Sequence, residues 1–139
     1  MKYIKYIPFL DSKRKEVYSM YQDKVVLCAS SAYEKKFWFN EDFAALPEQV
    51  KQELKIMCVL FTEDVGGILS MEFNEDGTLL FKVDADENDF MFDEIGSVLK
   101  IKELQKTKKE LLEAIEIYYQ VFFLNRDVSG LLSSEDEED

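Results

Sequence analysis

From Leu111 to Leu124, 11 of 14 residues are apolar or aromatic, and the exceptions Glu113, Glu116 and Gln120 recur three and four apart along one narrow helical stripe. A helix apolar over so much of its circumference must be covered on more than one side. A sheet covers one side, and a second protomer would supply the other. The run Ile56-Met-Cys-Val-Leu-Phe61 makes the same demand. It is the second half of a helix that starts at Pro47, whose ring suits a first helical position, and ends at Gly66-Gly67.

The sheet is read from alternation. Leu69, Met71 and Phe73 alternate with Ser70 and Glu72, and Leu79, Phe81 and Val83 with Leu80 and Lys82. Cross-strand partners share a face, so Phe73 pairs with Leu79, Met71 with Phe81 and Leu69 with Val83. Glu75-Asp76-Gly77 remains as a three-residue loop with Gly77 at the left-handed position. Asp23 to Ser30 reads as a strand apolar on both faces, and Lys36-Phe-Trp-Phe39 as another, with Ser-Ser-Ala between them as the turn. Asn40 to Phe43 reads as a helical turn. Ile95, Val98, Leu99 and Ile101 form one helical patch, and Thr107-Lys-Lys-Glu110 matches a capping box, which places a break near Gln105 to Thr107. Without a break the helix would be about 45 Å long, too long for so small a globule.

These elements predict a single α+β domain over 20–125, an antiparallel sheet of four or five strands with helices mainly on one face and an apolar C-terminal helix. Residues 1–19 are a basic arm with five basic residues against Asp11 and Glu16, leading into a short helix capped by Asp11 or Ser12. The shift in composition marks Met20 as an alternative native start. Residues 126–139 form an acidic tail, expected to be disordered and solvating.

Charge narrows the partners. The chain carries 17 basic and 29 acidic residues, a net charge of −12, and no histidine. Nucleic-acid binders draw affinity from Lys and Arg on phosphates, so neither nucleic acid nor an anionic membrane is an expected partner. A protein partner is expected instead, basic in character, together with a homodimer. Without His there is no Ser-His-Asp or Cys-His pair and no imidazole metal site. Cys28 and Cys58 lie in apolar runs without C-x-x-C spacing and read as reduced core thiols of a cytoplasmic protein, a disulfide being the alternative.

Candidate sites are few. Asp84, Asp86 and Asn88 begin like a calcium loop, but Asp89 stands where a Gly makes the turn and Ile95 where a bidentate Glu belongs. That leaves a weak cation reading beside a solvated loop. Glu63 and Asp64, next to Gly66-Gly67, are the carboxylate pair on which a small hydrolase would rest, although capping and solubility explain them equally well. No catalytic residue is assigned and no cofactor is expected. Residues 84 to 94 carry six acids and no base, while 100 to 109 carry five Lys against Glu103 alone; the lysines either pair with a neighbour's acids or form a solvated face. Trp38 lies on the opposite strand face from Phe37 and Phe39. It joins Asp84, Asp86, Glu87, Asp89, Tyr119, Phe122 and Phe123 as a residue expected to meet a partner.

Asp23-Lys-Val-Val-Leu-Cys28, Leu46-Pro-Glu-Gln-Val-Lys-Gln-Glu-Leu-Lys-Ile-Met57, Glu63-Asp-Val-Gly-Gly67 and Phe92-Asp-Glu-Ile-Gly-Ser-Val-Leu-Lys-Ile101 resemble a family of small acidic proteins of anaerobic Gram-positive bacteria, described as a domain of unknown function. The resemblance covers Met20 to Leu124 and implies neither an activity nor site residues. In architecture alone, the order of elements is similar to dimeric secretion chaperones. The expected function is a non-enzymatic adaptor or chaperone-like module acting as a dimer, with an acidic DNA mimic or inhibitor and the small hydrolase as alternatives.

Overall fold

The computed structural model describes residues 3–8 and 24–127. The expected helix after Asp11 or Ser12, the alternative start at Met20 and the tail beyond 127 lie outside the described residues.

Five strands form one antiparallel sheet in the order β1-β5-β4-β2-β3. They are β1 (Tyr3–Pro8), β2 (Val25–Ser31), β3 (Lys36–Phe39), β4 (Ile68–Phe73) and β5 (Leu79–Ala85). Of the three α-helices, α1 (Glu48–Val65) lies between β3 and β4, and α2 (Glu94–Thr107) and α3 (Lys109–Phe122) follow β5. The β4–β5 hairpin has the predicted register, Phe73 opposite Leu79, Met71 opposite Phe81 and Leu69 opposite Val83. Gly77 takes φ 86° in the loop, and the Asn74 side-chain oxygen accepts from the Asp76 and Thr78 amides. Leu69, Met71, Phe73, Leu79, Phe81 and Val83 form one face and one core with Leu54, Met57, Cys58 and Phe61 of α1, Ile101 of α2, and Leu112, Ile115 and Tyr119 of α3. The helices thus share one side of the sheet. A buried Leu or Phe contributes roughly 1.5–3 kcal/mol by leaving water, so this shared layer dominates stability.

Several expectations need correction. Tyr3–Pro8 is an edge strand, with Ile7 opposite Phe81, so residues 3–8 of the expected basic arm are a strand of the sheet. Pro8 and the lysines obscure the strand signal, because Pro is tolerated at an edge. In β2 the register shifts between Val26 and Cys28, turning Leu27 fully inward and leaving Val26 41% exposed, so that strand is not apolar on two equally buried faces. Ser30 and Ser31 belong to β2, and the turn falls at residues 32–35 with Lys35 at φ 53°. The break between α2 and α3 sits at Lys108. No capping box forms there: the Thr107 hydroxyl donates back to the Glu103 carbonyl, as a residue still inside a helix does.

The stripe of Glu113, Glu116 and Gln120 does not simply face water. Glu116 and Gln120 are buried, and the Leu79 amide donates to Glu116 Oε2 at 2.8 Å. Gln120 Nε2 donates to the Gly77 carbonyl at 3.4 Å, and Arg126 Nη1 to the Asp76 carbonyl at 3.0 Å and to Gln120 Oε1 at 3.2 Å. α3 therefore grips the hairpin turn with polar side chains. Phe73 and Tyr119 stack at 4.0 Å between centroids, with Phe43 and Phe123 continuing the aromatic cluster.

Candidate protein-binding face

α1 is apolar over more of its circumference than the core uses. Leu54, Met57, Cys58 and Phe61 turn inward, whereas Ile56 and Leu60 are more than half exposed. α2 runs back along α1 and is tied to it at both ends. Lys100 Nζ lies 2.6 Å from Asp64 and Lys108 Nζ 3.4 Å from Glu53, while the Asp93 amide donates to the Val65 carbonyl at 2.9 Å. The Asp64 carboxylate holds the Lys100 ammonium above its usual pKa by hydrogen bonding. Such exposed pairs are screened by solvent and add little stability; their use here is to fix the register of the two helices.

Of the predicted α2 patch, Ile101 is buried, but Ile95 and Leu99 are 76% and 61% exposed. The reason is the helix's position at the rim of the layer, where only one narrow stripe meets α1. Between the helices runs a groove of about 460 Å³ with Met57, Phe61 and Leu104 among its lining and Lys100, Glu103 and Lys108 at its polar margin.

The acidic connection from Asp84 to Asp93 is an ordered turn. The Tyr33 hydroxyl accepts from the Asp86 amide at 3.1 Å and donates to Asp89 Oδ2 at 2.5 Å. Asp89 Oδ1 accepts from the Met91 amide at 2.9 Å. Burial, and then the hydrogen bond to Asp89, raises the Tyr33 pKa above its usual value. Gly67, at φ 75°, lets the chain pass close by: a Cβ there would stand 2.7 Å from the Asp84 carbonyl and 3.0 Å from the Phe92 ring. Asp93 Oδ1 then caps α2 by accepting from the Gly96 amide at 2.8 Å. This scaffold presents Phe90 and Met91 at 92% and 88% exposure.

The predicted site residues separate. Asp84 is buried in β5, 3.9 Å from Lys82, while Asp86, Glu87 and Asn88 are exposed on the turn and Asp89 is occupied in shaping it. Among the described residues no group of three or more acidic or thiol side chains is placed to hold a metal ion. Trp38 is 40% exposed on the sheet face away from the helices, with Lys36 Nζ 5.8 Å from its ring centre. Tyr119 is not a contact residue but core, and Phe123 is partly buried against Phe43 and Tyr119 at 4.7 and 5.0 Å; of the three α3 aromatics only Phe122 is exposed. Their four-residue spacing from Ile115 carries Tyr119 and Phe123 inward.

Glu63 and Asp64 are both exposed at the end of α1, and Asp64 is engaged with Lys100. A second hollow, of about 810 Å³, lies on the other flank of α1 among Lys35, Lys36, Lys55 and Glu63. Its buried hydroxyls, Ser30 and Thr62, bond each other at 2.9 Å. Cys28 and Cys58 are free and buried with their sulfurs 3.9 Å apart, and the contact with Cys58, reinforced by burial, pushes the Cys28 pKa well up. A thiol so held is a poor nucleophile. Sequence reading marked residues 56–61 as needing cover on more than one side but assigned none of them to a site, and it missed Phe90 and Met91, whose signal was two adjacent large apolar residues inside an acidic run.

Residues 24–127 match a family of unknown function (DUF6145), and the chain belongs to that family. No curated protein and no solved structure matches it. Among the described residues no helix is long and apolar enough to cross a membrane.

Proposed function

We propose that this DUF6145 member is a non-enzymatic protein-binding module, an adaptor or chaperone-like protein that acts as a dimer and binds through the face built by α1, α2 and the turn before α2. One observation carries the reading: Ile56 and Leu60 of α1, Ile95 and Leu99 of α2, and Phe90 of the turn before α2 are each more than half exposed. Large apolar surface left in water on a folded domain marks an interaction site. The acidic turn before α2 favours a partner with basic groups, and the net charge of −12 disfavours nucleic acid. The inert thiols and the exposed, ion-paired Asp64 support a non-enzymatic role. Two free thiols 3.9 Å apart fit a reducing, cytoplasmic compartment.

The test is a photo-crosslinking residue placed at Leu60 and, as control, at the exposed Glu75 of the hairpin turn, in cells of the native host. A discrete protein adduct from position 60 and none from position 75 is the expected result. Equal labelling at both positions, or none at either, overturns the reading.

A further inference from the structure

We infer that a second copy of this chain occupies the α1–α2 face, the two α2 helices crossing antiparallel about a two-fold axis and the Phe90–Met91 turn of each copy reaching the α1–α2 groove of the other. The inference rests on the reading of this face as protein-binding and names its occupant.

Charge gives the first argument. Residues 84 to 94 carry six acids and no base, and 100 to 109 five lysines against Glu103, so the α2 region is acidic at its start and basic at its end. Ile95, Leu99, Lys102 and Lys106 follow one another at four-, three- and four-residue spacing and are all exposed, which makes them one outward stripe. A parallel partner would set lysines against lysines. An antiparallel partner sets each acidic turn beside the other copy's lysines, twice, with Ile95 and Leu99 from both copies at the centre. The surface is complementary to itself under a two-fold rotation, and such a pairing closes at two copies.

Position gives the second argument. The groove runs along the second half of α2, from Lys100 to Lys108, and not along its first turn, next to the chain's own Phe90 and Met91. Fourteen helical residues separate the two ends, roughly 21 Å at 1.5 Å per residue. A copy turned antiparallel brings its turn to that end. The groove's volume of about 460 Å³ admits an apolar side chain, and Ile56, Leu60 and Leu104 line it. Tyr33 and Asp89 already hold the turn, so little ordering entropy is lost on docking.

The experiment is sedimentation equilibrium of the intact chain in low salt, over about 1 to 100 μM, a range that brackets ordinary dimer affinities. The wild-type chain is expected to be dimeric. F90D is expected to weaken the dimer at least about tenfold, as loss of an interface anchor does, with an unchanged far-ultraviolet circular dichroism spectrum because the ring is 92% exposed and the fold does not need it. D86K and K106E should each weaken it several-fold, and the double variant should recover most of the loss. A monomer throughout the range, assembly beyond two copies, a dimer indifferent to F90D, or a double variant no better than the singles overturns the inference. The broader reading is judged separately: if the chain is monomeric and position 60 still captures another protein, the protein-binding reading of the face stands and the dimer falls. If position 60 captures nothing but a second copy, the dimer stands and the adaptor role falls.

Discussion

Glu72 projects from β4 on the sheet face away from the helices, yet only 5% of it is exposed. Burial raises its pKa above the usual 4.5, opposed by the attraction of Lys82 and Lys24 and reinforced by Asp84. The folded state therefore favours the protonated acid. The stability associated with this group is fully present below the unfolded-chain pKa and is lost as pH rises through the raised folded value. Glu72→Gln is accordingly expected to raise the melting temperature at pH 7, with the gain vanishing in acid as the wild-type carboxyl protonates; thermal melts across that range check it. Gly77 gives a second case at this scale. It sits at φ 86°, and a Cβ there would meet Gln120 Cγ at 2.7 Å, so Gly77→Ala should cost about 1–3 kcal/mol in urea unfolding. The glycine was legible in the sequence because a three-residue hairpin loop requires a left-handed residue. The burial of Glu72 was not, since a carboxylate alternating with core residues reads as solvated.

At the scale of elements, the hairpin was legible to the residue and α3 was not. Alternation specifies a register because a one-residue slip would move every apolar side chain to the other face. In α3 the polar stripe was read correctly as a stripe, but spacing carries no information on what the stripe faces. It faces the hairpin turn, where Glu116 accepts the Leu79 amide. Glu116→Ala is expected to destabilise the fold by about 1–3 kcal/mol, leaving a buried N–H without its acceptor, while Glu116→Gln, which keeps an acceptor oxygen, should cost less. Chemical denaturation of both variants checks the order. The same limitation explains Tyr119 and Phe123: an apolar helix has two candidate buried faces, and only the position of Phe43 and Phe73 decides which aromatics enter the core. The β1 strand escaped notice because its pairing with β5 is a contact between residues some 75 positions apart that leaves no local trace.

For the whole molecule, the fold class followed from the sequence because two helices apolar on most sides demand a layer to pack on. The exposed apolar surface did not, because it draws on α1, α2 and a turn that only the fold brings together. The charges around it are exposed and screened by salt, with a Debye length near 10 Å at 0.1 M and near 3 Å at 1 M. Raising NaCl from about 0.05 to 0.5 M is therefore expected to weaken self-association several-fold while leaving the thermal melt of the monomeric F90D chain nearly unchanged; sedimentation and melting in parallel check both.

The grip of α3 on the hairpin turn also assigns a meaning to a single backbone proton. Because the Leu79 amide is bonded to a helix side chain rather than to a neighbouring strand, its exchange with deuterium reports detachment of α3. The central amides of β4 and β5 instead exchange only when the sheet itself opens. If α3 departs before the sheet does, Leu79 should exchange at a lower free energy than Met71 or Phe81, and the chain has two cooperative units; equal values would make it one.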